Sequence, residues 1–307
     1  QTAGLAEGEH LFRIRVRDAS WWDQKRELSY LFIIDRTPPE LTVTALQGDI
    51  RQGDTGGFFI RANEKLTEIF LQVAGRKYPC YPVPGAVNLY RGLFPVRVFS
   101  VPAAYEAQMT GTDLAGNVTR TALPYRVTAR EFPREIIQVP KAKAGILTNR
   151  PRLNEDAVKI KAALAERGGI QYWRGMFVRP AQGIVSSPFG IQRVYSTGSI
   201  ASYHRGIDIA NKEGTPVIAA NAGVVLLSEE LFLYGNTIIL DHGQGVLTYY
   251  CHLSRRDPEK GDIVARGQTI GAIGTTGLST GPHLHWEMQI EGVEVNPEEW
   301  LSRSFEE

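Results

Sequence analysis

From Tyr172 onward glycine interrupts the chain every few residues, and no helix-length pattern separates the short apolar runs between them. Such punctuation, at Gly206, Gly223, Gly235, Gly245, Gly261, Gly271 and Gly281 among others, predicts antiparallel β structure rather than alternating α/β units. Inside this region lies Gly281-Pro282-His283-Leu284-His285-Trp286-Glu287. A period of two puts His283, His285 and Glu287 on one strand face and Leu284 and Trp286 on the other. Two imidazoles on one face are costly to bury without a polar or metallic partner. An isolated His-x-His is more often a solvent-facing strand, so the rest of the chain has to decide.

The N-terminal half reads differently. His10 to Arg17 and Leu28 to Ile34 suggest two strands joined by a polar turn, closed by the boundary signal Asp35-Arg36-Thr37-Pro38-Pro39. Short strands then recur at sandwich spacing near 41–46, 57–62, 68–74, 96–101, 105–112 and 117–127. The turn Asp113-Leu114-Ala115-Gly116-Asn117 echoes Arg17-Asp18-Ala19-Ser20, as if residues 1–36 were the tail strands of one module and 37–128 a complete second one. Boundary prolines and an Ala-Gly-Asn turn of this kind resemble bacterial surface immunoglobulin-like repeats. Residues 129–176 read as a linker with one helix at about 154–167, capped by Asn154 and stopped by Gly168-Gly169. Its mixed face should pack against a neighbouring domain, and covering a cleft is the less favoured role. The fold class expected is therefore mainly β: an immunoglobulin-like sandwich, a helical linker, and an antiparallel β domain at about 177–303.

A length of 307 residues suits two or three domains, and a net charge of +1 gives no support for nucleic-acid binding. No apolar run reaches membrane-spanning length. Gln1 reads as a trimmed or processed beginning. Two distant cysteines, Cys80 and Cys251, exclude a disulfide framework and a cysteine-based structural zinc site. Of six histidines only His10 precedes residue 200; His204, His242, His252, His283 and His285 crowd the C-terminal segment. Imidazole chemistry belongs there.

Two further stretches join the first. In His204-Arg205-Gly206-Ile207-Asp208, four extended residues would span about 13 Å, too far for one metal, so a bend at Gly206 is expected. In Tyr249-Tyr250-Cys251-His252-Leu253, alternation turns Cys251 away from whatever His252 serves, which disfavours a cysteine nucleophile and leaves Cys251 a small buried hydrophobe. A serine triad using Ser186, Ser187 or Ser279 lacks a strand–turn–helix elbow. One aspartate and four histidines with no thiolate fit a catalytic metal site of N/O ligands with an open position. Residue pattern alone leaves open which imidazoles are ligands and which are catalysts. His242 reads as a hairpin-turn residue. Glu287 reads equally well as a partner orienting an imidazole or as a carboxylate satisfied by backbone or arginine.

Taken in order, Val178-Arg179-Pro180, Gly183 to Gly190, His204 to Ala210, Gly214-Thr215-Pro216-Val217, Tyr250 to Leu253 and Thr280 to Glu287 resemble the lysostaphin-type (LytM-like) zinc endopeptidases over about 177–301. The resemblance implies zinc (Zn2+) held by His204, Asp208 and His285, with His252 and His283 as catalytic residues. It implies an endopeptidase acting on bacterial peptidoglycan peptides at an extracytoplasmic location such as the periplasm, with no nucleic-acid partner and room for a membrane anchor upstream of Gln1. The loop between Gln192 and Tyr203, including Tyr195, would wall the substrate groove. The rival reading is a non-catalytic LytM-like regulator that activates another wall hydrolase; such relatives lack the ligands present here. A third possibility gives the immunoglobulin-like modules the leading role, in adhesion or as a spacer.

Overall fold

A computed structural model of the chain describes residues 4–17, 25–137, 145–195 and 202–306. It is mainly β. Among the described residues, strands β1 (Gly8–Arg17) and β2 (Lys25–Ile34) pair only with each other, antiparallel; the turn predicted at 18–20 lies outside the described residues.

The next eight strands form one hydrogen-bonded path. They are β3 (Leu41–Ala45), β4 (Asp49–Arg51), β5 (Thr55–Ala62), β6 (Leu66–Val73), β7 (Arg76–Pro82), β8 (Leu89–Pro95), β9 (Ala103–Asp113) and β10 (Val118–Thr128), in the order β3-β5-β8-β7-β6-β9-β10-β4. The path curls on itself, so that Phe94 of β8 meets Tyr125 of β10 edge-on at 5.2 Å between ring centroids. One expected strand is absent here, and two unexpected ones are present. The run 96–101 is not a strand; Val96 and Val98 are buried plugs beyond the end of β8, at 4% and 2% exposure. Strands β7 and β8 were hidden from sequence by Pro79, Pro82 and Gly92, residues that weaken a strand reading although tertiary pairing tolerates them.

The linker helix α1 (Arg150–Leu164) begins a turn earlier than expected. Asn149, not Asn154, is the N-cap, its side chain accepting from Arg152 N at 3.2 Å, and Pro151 fits the first turn where no amide donor is needed.

The remaining strands are β11 (Arg134–Ile137), β12 (Ile184–Ser187), β13 (Gln192–Tyr195), β14 (Ser202–Tyr203), β15 (Gly206–Ala210), β16 (Pro216–Ile218), β17 (Gly223–Leu231), β18 (Gly235–Gly243), β19 (Val246–Arg256), β20 (Ile263–Val264), β21 (Thr269–Ile273), β22 (His283–Ile290) and β23 (Val293–Val295), followed by helix α2 (Pro297–Ser302). β11, β13 and β14 make a small sheet; the others build a ten-stranded antiparallel sheet whose main path is β12-β15-β22-β19-β18-β17-β20. One face buries Ile207, Ile209, Tyr250, Leu253, Leu284 and Trp286 in a core shared with Trp173, Trp300 and Phe305. The other carries the histidines at one end, while Ile160, Ala163 and Leu164 of α1 cover its far end over Leu227, Ile239, Leu247, Tyr249 and Cys251. Helix and candidate site therefore share a face.

Buried contacts tie the two large sheets together. Trp300 Nε1 donates to Thr55 Oγ1 at 3.0 Å, and the buried Arg91 donates to Phe305 O and Gln171 while its guanidinium lies 4.4 Å from the Trp173 ring centroid. Desolvation at these points is offset by hydrogen bonding, with the Glu306 carboxylate as counter-charge to Arg91.

Candidate metal centre

The register of β15 against β22 sets the centre: Asp208 lies directly opposite His285, and Ala210 opposite His283. Antiparallel partners on one face have closely approaching side chains, so two strands deliver a carboxylate and an imidazole to the same point. His204 arrives from just before β15. His204 Nε2, His285 Nδ1 and Asp208 Oδ1 lie 2.9 Å from one another, and all three residues are buried.

Their protons can be assigned from the second nitrogens. His204 Nδ1 is 3.0 Å from Pro188 O, a group that can only accept, so Nδ1 carries the proton and Nε2 presents a lone pair. Among the described residues, His285 Nε2 has only Glu287 Oε2 nearby, at 3.5 Å, and both atoms are otherwise without partners. A proton on Nε2 satisfies that pair and turns a second lone pair toward Asp208. Two lone pairs and a carboxylate oxygen at 2.9 Å need a shared cation. Without one the demand falls on His285: burial opposes its charge, but hydrogen bonds to Asp208 and Glu287 and their charges prevail and push its pKa up to about 9. His204 goes the other way, burial lowering it to about 4. The Asp208 carboxyl, although buried, is held well below its usual range by His204 and His285. Three N/O donors, and no thiolate, can hold a metal ion here.

His252 and His283 flank the three donors. Their ring centroids are 4.9 Å apart; His252 is 6.1 Å from the His285 ring, and His283 Nε2 is 3.7 Å from Asp208 Oδ1. Each presents Nδ1 to a carbonyl, Thr276 O for His252 and Gly281 O for His283, both at 2.8 Å. Nε2 is thereby left as the basic nitrogen of both rings. Burial first, then the neighbouring imidazoles, lower His252 to about 3; burial likewise lowers His283.

Two sequence arguments need correcting. Gly206 does not bend the chain with a left-handed backbone: it sits within β15, and a Cβ there would lie 2.2 Å from Trp286 O. It is glycine so that β22 can come close. His252, in contrast, is left-handed, with φ +61°. That breaks alternation, so Cys251 and His252 reach the same face, and Cys251 pairs opposite His285. Cys251 is nevertheless no nucleophile; burial, then the Glu287 charge, raise its thiol well above the ordinary range.

Ser187 and Ser279 meet His204 and His283 at Nδ1, 3.3 Å in each case, on the nitrogen that donates to a carbonyl. Neither has a base. His242 is a buried structural residue, its two nitrogens held by Ala222 O and Thr248 Oγ1 at 2.7 Å. His10 lies in β1, away from the cluster. Glu287 takes the imidazole-facing role, with Oε1 accepting from Gln289 at 2.6 Å.

Sequence reading passed over Arg193 and Tyr234. Arg193 donates to Asp208 Oδ2 at 2.5 Å, and the Tyr234 ring centroid lies 6.5 Å from that of His285. Neither belongs to a patterned motif, so only the Gln192–Tyr203 stretch as a groove wall could have pointed to Arg193. Residues 196–201 of that stretch, and the Tyr195 side chain, lie outside what the structure describes.

The sequence profile of peptidase family M23 matches residues 202–297. Over 134 residues the chain is 41% identical to DD-carboxypeptidase/endopeptidase Mpg of Neisseria meningitidis serogroup B, covering 44% of this chain and 30% of that protein. Over 113 residues it is 42% identical to peptidoglycan DD-endopeptidase ShyC of Vibrio cholerae serotype O1, covering 37% and 26%. The match thus spans under a third of either relative's length. A solved structure of an M23 peptidase from Pseudomonas aeruginosa shares the fold, with a TM-score of 0.60 at 24% identity over 81% of this chain and 93% of that one. Residues 202–297, which carry all five side chains of the cluster, form a domain of peptidase family M23.

Proposed function

We propose that this chain is a zinc-dependent endopeptidase that hydrolyses peptide cross-links or stem peptides of bacterial peptidoglycan, and that it acts outside the cytoplasm. The observation that carries the reading is the convergence of His204, Asp208 and His285 donor atoms at 2.9 Å with two further imidazoles beside them. The names of the Neisseria and Vibrio relatives support the substrate class.

In this reading His204, Asp208 and His285 hold zinc. When bound, zinc supplies Lewis acidity, bringing the pKa of water toward about 7 and polarising a carbonyl. The residues supply the rest. Thr276 O and Gly281 O fix the orientation and tautomer of His252 and His283, so each offers Nε2 to the reacting groups. Neutral at pH 7 because burial depresses their pKa values, both rings can accept a proton and pass it to the leaving amine nitrogen. Once protonated, either ring donates a hydrogen bond to the developing oxyanion. Arg193 and Glu287 hold Asp208 and His285 from behind, restricting the donors to one geometry.

Metal content and cleavage of cross-linked muropeptides test this together. About one zinc per chain is expected, lost in Asp208→Ala, while His252→Ala keeps the metal and loses cleavage by about 100-fold or more. A zinc-loaded chain that leaves muropeptides intact, with His252→Ala indistinguishable from it, would sink the enzyme reading and leave the regulatory one.

A further inference from the structure

Beyond Tyr234, on the face that carries the histidines, lies a second cavity of about 620 Å3, separate from the groove that contains His252 and His283. The Leu233–Tyr234 corner divides them: Leu233 O accepts from Leu278 N and Tyr234 O from His252 N, at 2.9 and 2.8 Å. Three parts of the chain close the cavity, namely α1, the β6–β7 turn at Arg76, and the β22–β23 turn at Glu291. The first two lie outside the matched family region.

Ile160 and Leu164 give it an apolar side, while Arg76, Lys161, Arg167 and Arg205 line it against only Asp156 and Glu291. Both acids are already engaged. Asp156 accepts from Phe232 N and Leu233 N at 2.9 Å, and Glu291 lies 3.7 Å from Arg167 and accepts from Tyr81 Oη at 3.2 Å. Lys161 has no ion pair or side-chain hydrogen bond among the described residues. Arg167 and Arg205 are paired with Glu291 and Glu294, at 3.7 and 3.4 Å, and Arg76 donates to a carbonyl, Glu291 O. Among the described residues, Arg76 and Lys161 are thus the lining cations left without a carboxylate partner, beside an apolar wall, a combination suited to an anionic peptide.

Its position says which part of the peptide. Tyr234 lines the cavity with its ring centroid 6.5 Å from that of His285, and Arg205 follows His204 directly. Tyr234 is thus the wall between centre and cavity, and a peptide lying in the groove reaches the cavity by passing over the Leu233–Tyr234 corner. We propose that this cavity is a carboxylate-binding subsite for the peptide substrate, receiving a free carboxylate from the part of the peptide that extends beyond Tyr234. The inference rests on the peptidase reading above and assigns α1 and the β6–β7 turn a part in substrate recognition.

The test uses one synthetic cross-linked peptide in two forms, with its carboxylates free or amidated. Each is titrated calorimetrically into the full zinc-loaded chain carrying His252→Ala, which keeps the peptide intact. The free acid should bind about tenfold more tightly, since charge-assisted hydrogen bonds are stronger than neutral ones. Adding Lys161→Ala with Arg76→Ala should bring the two Kd values together. Lys161→Glu alone, at an exposed position with no contact to lose, should move them the same way. Equal Kd values in the parent, no binding of either form, or an advantage that survives these substitutions would overturn the subsite. Cleavage by the unsubstituted chain is scored separately. Carboxylate-dependent binding without cleavage overturns the peptidase reading and leaves the subsite, whereas cleavage with equal Kd values does the reverse.

Discussion

Glu287 shows how much a single carboxylate can decide at such a centre. It is buried, shares a strand face with His285, and is tied down by Gln289, so its free oxygen can serve only the imidazole 3.5 Å away. A charged acceptor there both fixes the tautomer and raises the basicity of the opposite nitrogen. Glu287→Gln keeps the volume and removes the charge, and metal affinity should fall by about 10- to 100-fold, read by competition with a chelator of known affinity; unchanged affinity would show that Glu287 is only a packing residue. His242 makes the complementary case. It is fully buried and its pKa is lowered by burial to about 4 from an unfolded value near 6.5. The folded state therefore keeps it neutral where the unfolded chain would bind a proton. Its contribution to stability is full above pH 6.5 and drains away as pH falls toward 4. His242→Gln should be less stable at pH 7.5 yet lose about 2 kcal/mol less between pH 6.5 and 4.5, measured by urea unfolding at both pH values. Parallel losses in both proteins would refute the assignment.

At the scale of elements, the centre exists because β15 and β22 are held at one register and one spacing. Gly206 permits that spacing, for its missing Cβ leaves room for Trp286 O. Gly206→Ala should push the strands apart, costing about 1–3 kcal/mol as overpacking does. It should also separate Asp208 from His285, so that metal content falls in protein that is still folded by circular dichroism. Retained stoichiometric metal would mean that the register is set elsewhere. His252 illustrates strain of another kind: a left-handed, non-glycine residue costs on the order of 1–3 kcal/mol, and here the unusual backbone is what turns its ring onto the face of its sheet neighbour Cys251. Hydrogen bonds from His252 N to Tyr234 O and from Nδ1 to Thr276 O hold it there.

Across the whole molecule, the eight-stranded path β3–β10 is tied to the peptidase domain. Glu299 of α2 accepts from Thr55 N of β5 at 2.8 Å, close to the buried Asp54, which is itself paired with Arg130 at 2.6 Å. Burial, then the Asp54 charge, push the Glu299 carboxyl up to about 8. An acid whose folded pKa is raised holds its proton in the folded state. Its stabilisation is complete below about pH 4.5 and is lost as pH rises toward 8. Glu299→Gln keeps the acceptor for Thr55 and removes that loss, so its Tm advantage over the parent should widen between pH 6 and pH 8.5. A gap that stays constant across that range would place the ionisation elsewhere. With Arg91 and Trp300 on the same junction, the β6–β7 turn is fixed close enough for Arg76 to donate to Glu291 O at 2.5 Å.

The mainly β fold, the C-terminal position of the chemistry and the five side chains of the cluster were legible in the sequence. Strand alternation and ligand chemistry are local properties, and His283, Leu284 and His285 display both within three residues. Less local features were not. The prolines of β7 masked a strand that only its neighbours stabilise, and Asn149 outcompeted Asn154 as a cap because Pro151 fits the turn that follows it. Nothing near Arg193 or Tyr234 in sequence announces that they stand against Asp208 and His285. Nor could periodicity reveal that His252 leaves the β region or that Gly206 is needed for close approach rather than for a turn. The sequence by itself determined which groups are available and which faces are apolar. Only tertiary structure decided which groups meet, because the 2.9 Å spacing of three donors depends on the register between strands nearly eighty residues apart.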